Sequence, residues 1–252
     1  MTGFDVLQTP VTGQVATFLA VHQAEATGGE RLPSSRQACF APGTMIATPL
    51  GARAIEDLRA GDLVRTVEGR YVAVLWVAPR DAMHGGADTV VRIEKGALGQ
   101  GLPTATLYLA PDHGVRITSR IAEQMFGQDE VLVPAESLVG QPGITRARPQ
   151  DGQAIHLLLE GHHVVIANGL PVESLFVGKD TRARIGRTNW KALRAALPRE
   201  PFVNGRPRMT PARLRTDLKR ARRLIERHLR NPRCTLIDAK GLQAPVLRLV
   251  TG

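Results

Sequence analysis

The sequence predicts a mainly β domain followed by a basic, mostly helical C-terminal extension. Three observations carry that reading. Between residues 39 and 178, short runs of Val, Ile, Leu and Thr alternate with turn-forming Gly, Pro, Asn and Asp, the pattern of many short strands and not of a βαβ repeat. From residue 179 onward the chain turns to Arg-dense stretches with apolar residues at helical spacing. The charge divides at the same place. The chain is +10 overall, but residues 1–178 hold 13 Lys+Arg against 18 Asp+Glu (−5), and residues 179–252 hold 20 against 5 (+15).

Residues 1–38 read as a loose leader punctuated by Gly, Thr, Ser and Pro, with one short helix expected at Val15–Glu25. The β region, 39–178, then runs through Met45–Thr48, Leu63–Val67, Tyr71–Val77, Val90–Ile93, Leu107–Leu109, Val115–Ile117, Glu130–Val133, Ile155–Leu159 and Val164–Ile166. Ile55–Leu58 and Ala135–Leu138 read as single turns between strands. In the third segment, 179–252, Thr188–Leu197 is a short helix candidate. A second helix is expected from Thr210-Pro211, a hydroxyl cap with proline in the first turn, to about Arg230. Leu214, Leu218, Ala221, Ile225 and Leu229 would form its apolar stripe.

Composition excludes several classes. Hydrophobic residues make up 43% of the 252, too many for a wholly disordered chain. Two cysteines, Cys39 and Cys234, cannot build a disulfide scaffold or an all-cysteine metal cluster. No apolar run reaches the roughly 18 residues of a membrane span. The opening residues carry no positive charge ahead of their weak apolar stretch, a poor signal peptide, which points to the cytoplasm, with leaderless export as the alternative. His113, His156, His162 and His163 lack the short paired spacing of a zinc site, so neither metal nor cofactor is expected.

The chemistry centres on Cys39, at the seam between leader and β region. A thiol there can attack the Ala38 carbonyl and turn the Ala38–Cys39 amide into a thioester. That step needs an activated thiol, since the ordinary pKa is about 8.5, and a general acid for the departing nitrogen, usually histidine. A small buried cysteine opening a strand is the bland alternative. Asp62, after Gly61, reads first as a turn residue capping backbone amides, and Asn168-Gly169 as a tight turn. His156 alternates with apolar residues on a strand, and His162 is expected to be exposed.

The ordered blocks weigh against the bland reading. Cys39-Phe-x-x-Gly-Thr-x-Ile-x-Thr-Pro leads to Ile55-Glu-Asp-Leu-x-x-Gly-Asp-x-Val64, then Arg92-Ile-x-x-Gly-Ala-Leu98 and Leu109-Ala-Pro-Asp-His-Gly-Val115. Glu130-Val-Leu-Val-Pro-Ala135, His156-Leu-Leu-x-x-x-x-His163, Ala167-Asn-Gly169 and Glu173-Ser-Leu175 follow. The series resembles the Hint superfamily, the self-processing domains of inteins and hedgehog proteins, and most of all its bacterial branch. The resemblance implies a compact, pseudo-symmetric β fold over about 39–178. It implies Cys39 as nucleophile, His113 as the histidine at the scissile amide and His163 as the histidine of the late block. Asp62, Asp112, His156 and Asn168 would support them.

The departures are equally informative. Ala110 stands where the family's Thr-x-x-His block has threonine, and His156 where the later block has aspartate. Val172-Glu173-Ser174 stands where an intein has His-Asn followed by Cys, Ser or Thr. Without that asparagine no succinimide forms and splicing should fail. What remains is N-terminal cleavage or acyl transfer to water or a thiol, with the chain's own N-terminal segment as substrate. The alternative is a silent Hint module whose basic extension binds nucleic acid, an acidic protein or an anionic membrane surface.

Overall fold

The computed structural model describes residues 39–80, 89–148, 154–204, 206–231, 235–238 and 242. All of them lie in one compact unit, Ser34–Gly252. The leader, with the helix expected at Val15–Glu25, lies outside the described residues, as do Ala38 and Cys234.

The β region is as its alternation predicts. In chain order the strands are β1 Met45–Thr48, β2 Gly51–Ala54, β3 Leu63–Arg65, β4 Tyr71–Arg80, β5 Val90–Ile93, β6 Leu107–Leu109 and β7 Gly114–Thr118. Helix α1, Arg120–Phe126, precedes β8 Glu130–Pro134, β9 Ile144–Ala147, β10 Ala154–Leu159, β11 Val164–Ala167 and β12 Leu170–Glu173. The two expected single turns are 3-10 turns at Ile55–Asp57 and Ala135–Leu138. Three strands went unread in the sequence (β2, β9 and β12), as did α1. β2 and β9 are largely exposed and lack the apolar alternation on which such a reading depends. α1 has only seven residues, capped by Ser119, whose Oγ accepts the Ala122 N–H, and by Gly127.

The extension contains α2 Thr181–Ala196, the β13–β14 hairpin at Phe202–Val203 and Arg206–Pro207, β15 Leu214–Arg215 and α3 Leu218–Leu229. The first helix starts seven residues before Thr188, with a break at Gly186, whose φ of 78° suits a residue without a Cβ. The second corrects the expectation of one helix from Pro211. Leu214 and Arg215 pair in parallel with Val131 and Leu132 of β8, and Thr216 N–H donates to Leu132 O at 2.9 Å. Sheet-edge hydrogen bonds override local helical pattern here, and Asp217 becomes the N-cap, accepting the Arg220 N–H at 2.8 Å. Of the expected stripe, Ala221 and Ile225 are buried, Leu214 and Leu229 are exposed, and Leu224 and His228 complete the inward face.

The large sheet has seven strands in the order β15-β8-β7-β12-β11-β1-β2, with two three-stranded sheets, β10-β4-β3 and β6-β5-β9. β11 and β12 are buried along their whole length, as central strands are. The main core gathers Phe40, Ile46, Leu107, Val115, Leu157 and Val172, and reaches Ala221, Leu224 and Ile225 of α3. A second cluster, Leu158, Leu175, Val177, Ile185 and Leu193, packs α2 against β10 and β4 with Trp76, Trp190 and Phe202. The extension is therefore folded onto the β region through apolar contacts. None of the described helices is long and apolar enough to cross a membrane.

Candidate functional site

Cys39 is buried at the point where the described chain enters the fold. The next residue fixes its place. Phe40 bridges two strands, exchanging backbone hydrogen bonds with Ile155 of β10 (2.9 and 2.8 Å) and facing Leu109 of β6. The Cys39 backbone is thus held by a two-sided β anchor.

His113 comes from the turn between β6 and β7. Its N–H donates to Ala110 O at 2.9 Å, and Ala135 N–H donates to its carbonyl at 2.8 Å, which ties the turn to the start of the 3-10 turn after β8. The ring is inaccessible to solvent. Nδ1 lies 2.9 Å from Cys39 O and Nε2 lies 3.0 Å from Glu173 O. The Phe40 ring meets it edge-on, with centroids 4.6 Å apart. Both ring nitrogens face carbonyl oxygens, which only accept, so both contacts are hydrogen bonds only when the ring is an imidazolium. Burial opposes that charge and lowers the pKa below the ordinary histidine value. The Glu173 carboxylate and the two carbonyls pull it back up.

Glu173, at the end of β12, is buried and surrounded by donors. Gly114 N–H donates to Oε1 at 2.7 Å, and Arg215 Nη1 contacts both oxygens, Oε2 at 2.5 Å. His162 Nε2 stands 3.2 Å from Oε2. His162 Nδ1 accepts the Ala212 N–H at 2.9 Å, which leaves the ring hydrogen of the neutral form on Nε2, facing the carboxylate. Burial alone would raise the Glu173 pKa, but the His162 hydrogen bond and the Arg215 charge outweigh it and hold it at about 2. His162 is therefore buried, contrary to the exposure expected of it, with its ring edge-on to Phe176 as well.

The other sequence candidates stand apart from this cluster or support it through the backbone. His163 turns its ring outward, with Nε2 2.9 Å from Glu160 O, while its N–H donates to Ser174 Oγ at 3.0 Å. Asp112 offers its carbonyl to Arg215 Nη2 at 3.0 Å. His156 is buried on β10, next to the Ile155 that anchors Phe40. Asp62 is the expected capping residue, accepting Arg59 N–H at 2.7 Å and Arg53 Nη1 at 3.0 Å. Asn168 and Gly169 form the tight β11–β12 turn, with φ of 45° and 77°. Asn168 Oδ1 accepts Met45 N–H at 2.8 Å and Nδ2 donates to Thr106 O at 3.0 Å.

The structure thus brings Cys39 and His113 together and adds three residues to them. Glu173 stood in the sequence as part of a matched block and as a departure from the intein ending, His162 as a surface residue and Arg215 as part of a helix. The sequence signals no role for Arg215, because its place comes from the β15–β8 pairing. Among the described residues no group of three or more His, Cys, Asp or Glu side chains is arranged to hold a metal ion.

Residues 38–179 match a family described as the Hint domain. Among solved structures, the chain is similar to the gp41-1 intein, at 16% identity over 54% of this chain and 97% of that one, with a TM-score of 0.35. It is also similar to a bacterial intein-like domain from Clostridium thermocellum, at 18% identity over 55% and 98% of the two chains, TM-score 0.39. The MchDnaB-1 intein gives 16% identity over 53% and 98%, TM-score 0.31. No curated protein matches the chain. The family match spans more than half of the sequence and contains Cys39, His113 and Glu173, and the chain belongs to the Hint domain family.

Proposed function

We propose that the chain processes itself once, at the Ala38–Cys39 bond. The observation that supports this most is the buried His113 ring, 2.9 Å from the carbonyl of the one cysteine the reading requires. In this reaction Cys39 Sγ attacks the Ala38 carbonyl carbon, and the thiol proton passes to His113. The Ala38–Cys39 C–N bond breaks as His113 returns that proton to the departing Cys39 nitrogen, which becomes an amine. The result is a thioester between Ala38 and Cys39. Water or a thiol then attacks it, releasing residues 1–38 and restoring the Cys39 thiol. His163, with its ring on Glu160, contributes through its backbone bonds to Ser174 and not by proton transfer. Glu173 in place of asparagine leaves the C-terminal side uncut, so N-terminal cleavage is the whole reaction.

Hydroxylamine tests the thioester. Wild-type full-length chain should release residues 1–38 as a hydroxamate, and Cys39→Ala and His113→Ala should release none. A chain inert to hydroxylamine overturns the reading.

A second reading, docking of the extension on an acidic partner, draws on the exposed Lys219, Arg223, Arg227 and Arg230 of α3 and its C-cap. Salt-sensitive binding of the full chain to DNA, RNA or anionic vesicles would support it, and no binding at low salt would remove it.

A further inference from the structure

The Glu173 carboxylate has no solvent to stabilise it, and burying an ion costs several kcal/mol unless charge and hydrogen bonds offset it. Of its three donors, Gly114 N–H brings only a backbone dipole, and His162 faces it with Nε2 at 3.2 Å. Arg215 brings a permanent positive charge. It lies outside the span 38–179 that matches the family.

Arg215 also grips a second object. While Nη1 holds the carboxylate, Nη2 donates to Asp112 O at 3.0 Å, the carbonyl directly before His113. One planar guanidinium thus joins the end of β12 to the turn that carries the histidine, a double grip that a lysine ammonium reproduces poorly. His113 Nε2 rests on Glu173 O, so the residue that receives one ring nitrogen and the turn that carries the ring meet at Arg215. The arginine is set in place by β15 on both sides, through Ala212 N–H to His162 Nδ1 (2.9 Å) and Thr216 N–H to Leu132 O (2.9 Å).

We propose that Arg215 is a positioning residue for self-processing: by clamping Glu173 and the Asp112 carbonyl it holds His113 on Cys39, so the site is complete only when the C-terminal segment has docked as β15. The inference rests on the self-processing reading and deepens it. It also gives part of the basic extension a role inside the site.

Among the described residues, the groups facing His113 are the Cys39 carbonyl and Phe40 ring from the entering chain and Glu173 from β12, and the Arg215 charge from β15 also acts on it. Of these, the Glu173 charge favours the imidazolium and the Arg215 charge opposes it. The two substitutions therefore have opposite signs. Followed by NMR of 15N-histidine in full-length chain carrying Cys39→Ala, which cannot cleave, Arg215→Met should let His113 keep its proton to higher pH. Glu173→Gln should make it give the proton up at lower pH. A merely loosened site would move both upward, toward the ordinary histidine value. Arg215→Lys keeps the charge and should leave the titration near its original point.

In the Cys39 background, Arg215→Met should slow release of residues 1–38 at least tenfold by the order-of-magnitude cost of misplacing a catalytic group, and Arg215→Lys should recover part of that rate. Upward movement in Glu173→Gln, a titration in Arg215→Lys that follows Arg215→Met, or wild-type release by Arg215→Met overturns the role of Arg215 alone. A wild-type chain that stays whole overturns the self-processing reading and, with it, this role.

Discussion

The ring of His113 sits under two opposed demands. Its position between two carbonyls favours two donated protons, and its burial disfavours the charge they bring. Burial outweighs the carbonyls, and a ring that gives up its proton readily suits transfer to a departing amine. The balance depends on close packing next to it. A Cβ added at Gly114 would meet the Glu173 carboxyl carbon at 2.8 Å and its oxygens at 2.9 and 3.0 Å. That carboxylate is buried and bonded, so it cannot swing aside. Gly114→Ala should cost about 1–3 kcal/mol in urea unfolding and slow processing as well, whereas an unchanged midpoint would mean that the carboxylate has room to move. Cys39 and His113 were legible as residues because they stand in ordered blocks. The burial of His162 was not legible, because neighbours on an extended chain face opposite ways and the sequence does not say which ring turns in.

Elements were legible where their periodicity was local. The strands that alternate and the two single turns follow the sequence closely, and the Asn168-Gly169 turn joins β11 to β12 as such a pair should. The segment around Leu214 failed because its partner, Val131-Leu132, lies more than eighty residues away, and an edge strand can capture a short helical pattern. Helix α3 offers two tests of docking. Removing its cap with Asp217→Ala should cost about 1 kcal/mol, measured by denaturant unfolding. Leu224→Ala, at a fully buried position facing the core, should cost about 2–5 kcal/mol. If Leu224→Ala cost no more than the cap, α3 would not be packed on the β region.

Across the whole molecule, the division of charge seen in the sequence becomes a set of contacts. Arg213 pairs with Glu68 and Glu130, Arg215 with Glu173 and Arg222 with Glu136, while Arg220 lies 4.5 Å over the Phe126 ring. Part of the basic excess is therefore directed at the acidic body of the same chain, while Lys219, Arg223, Arg227 and Arg230 are exposed. Buried groups also set the pH response. His113 binds its proton less readily folded than unfolded, so stability is intact above its ordinary pKa of 6.5 and falls as pH drops below it. Glu173, at about 2 folded against 4.5 unfolded, contributes stability above 4.5 that is lost as pH falls toward 2. Both act in one direction. The urea midpoint should decline in two stages on acidification, and Glu173→Gln should flatten the second. A midpoint insensitive to pH between 7 and 3 would contradict this account of the buried site.

The central claim is that one bond, Ala38–Cys39, is cut by the chain itself. Intact mass of purified full-length chain under a mild thiol tests it most directly. The account predicts that wild type at 27.3 kDa gives way to a fragment whose mass and N-terminal sequence begin at Cys39, while Cys39→Ala stays whole. A wild-type chain that remains at 27.3 kDa, or a fragment that begins elsewhere, would contradict it.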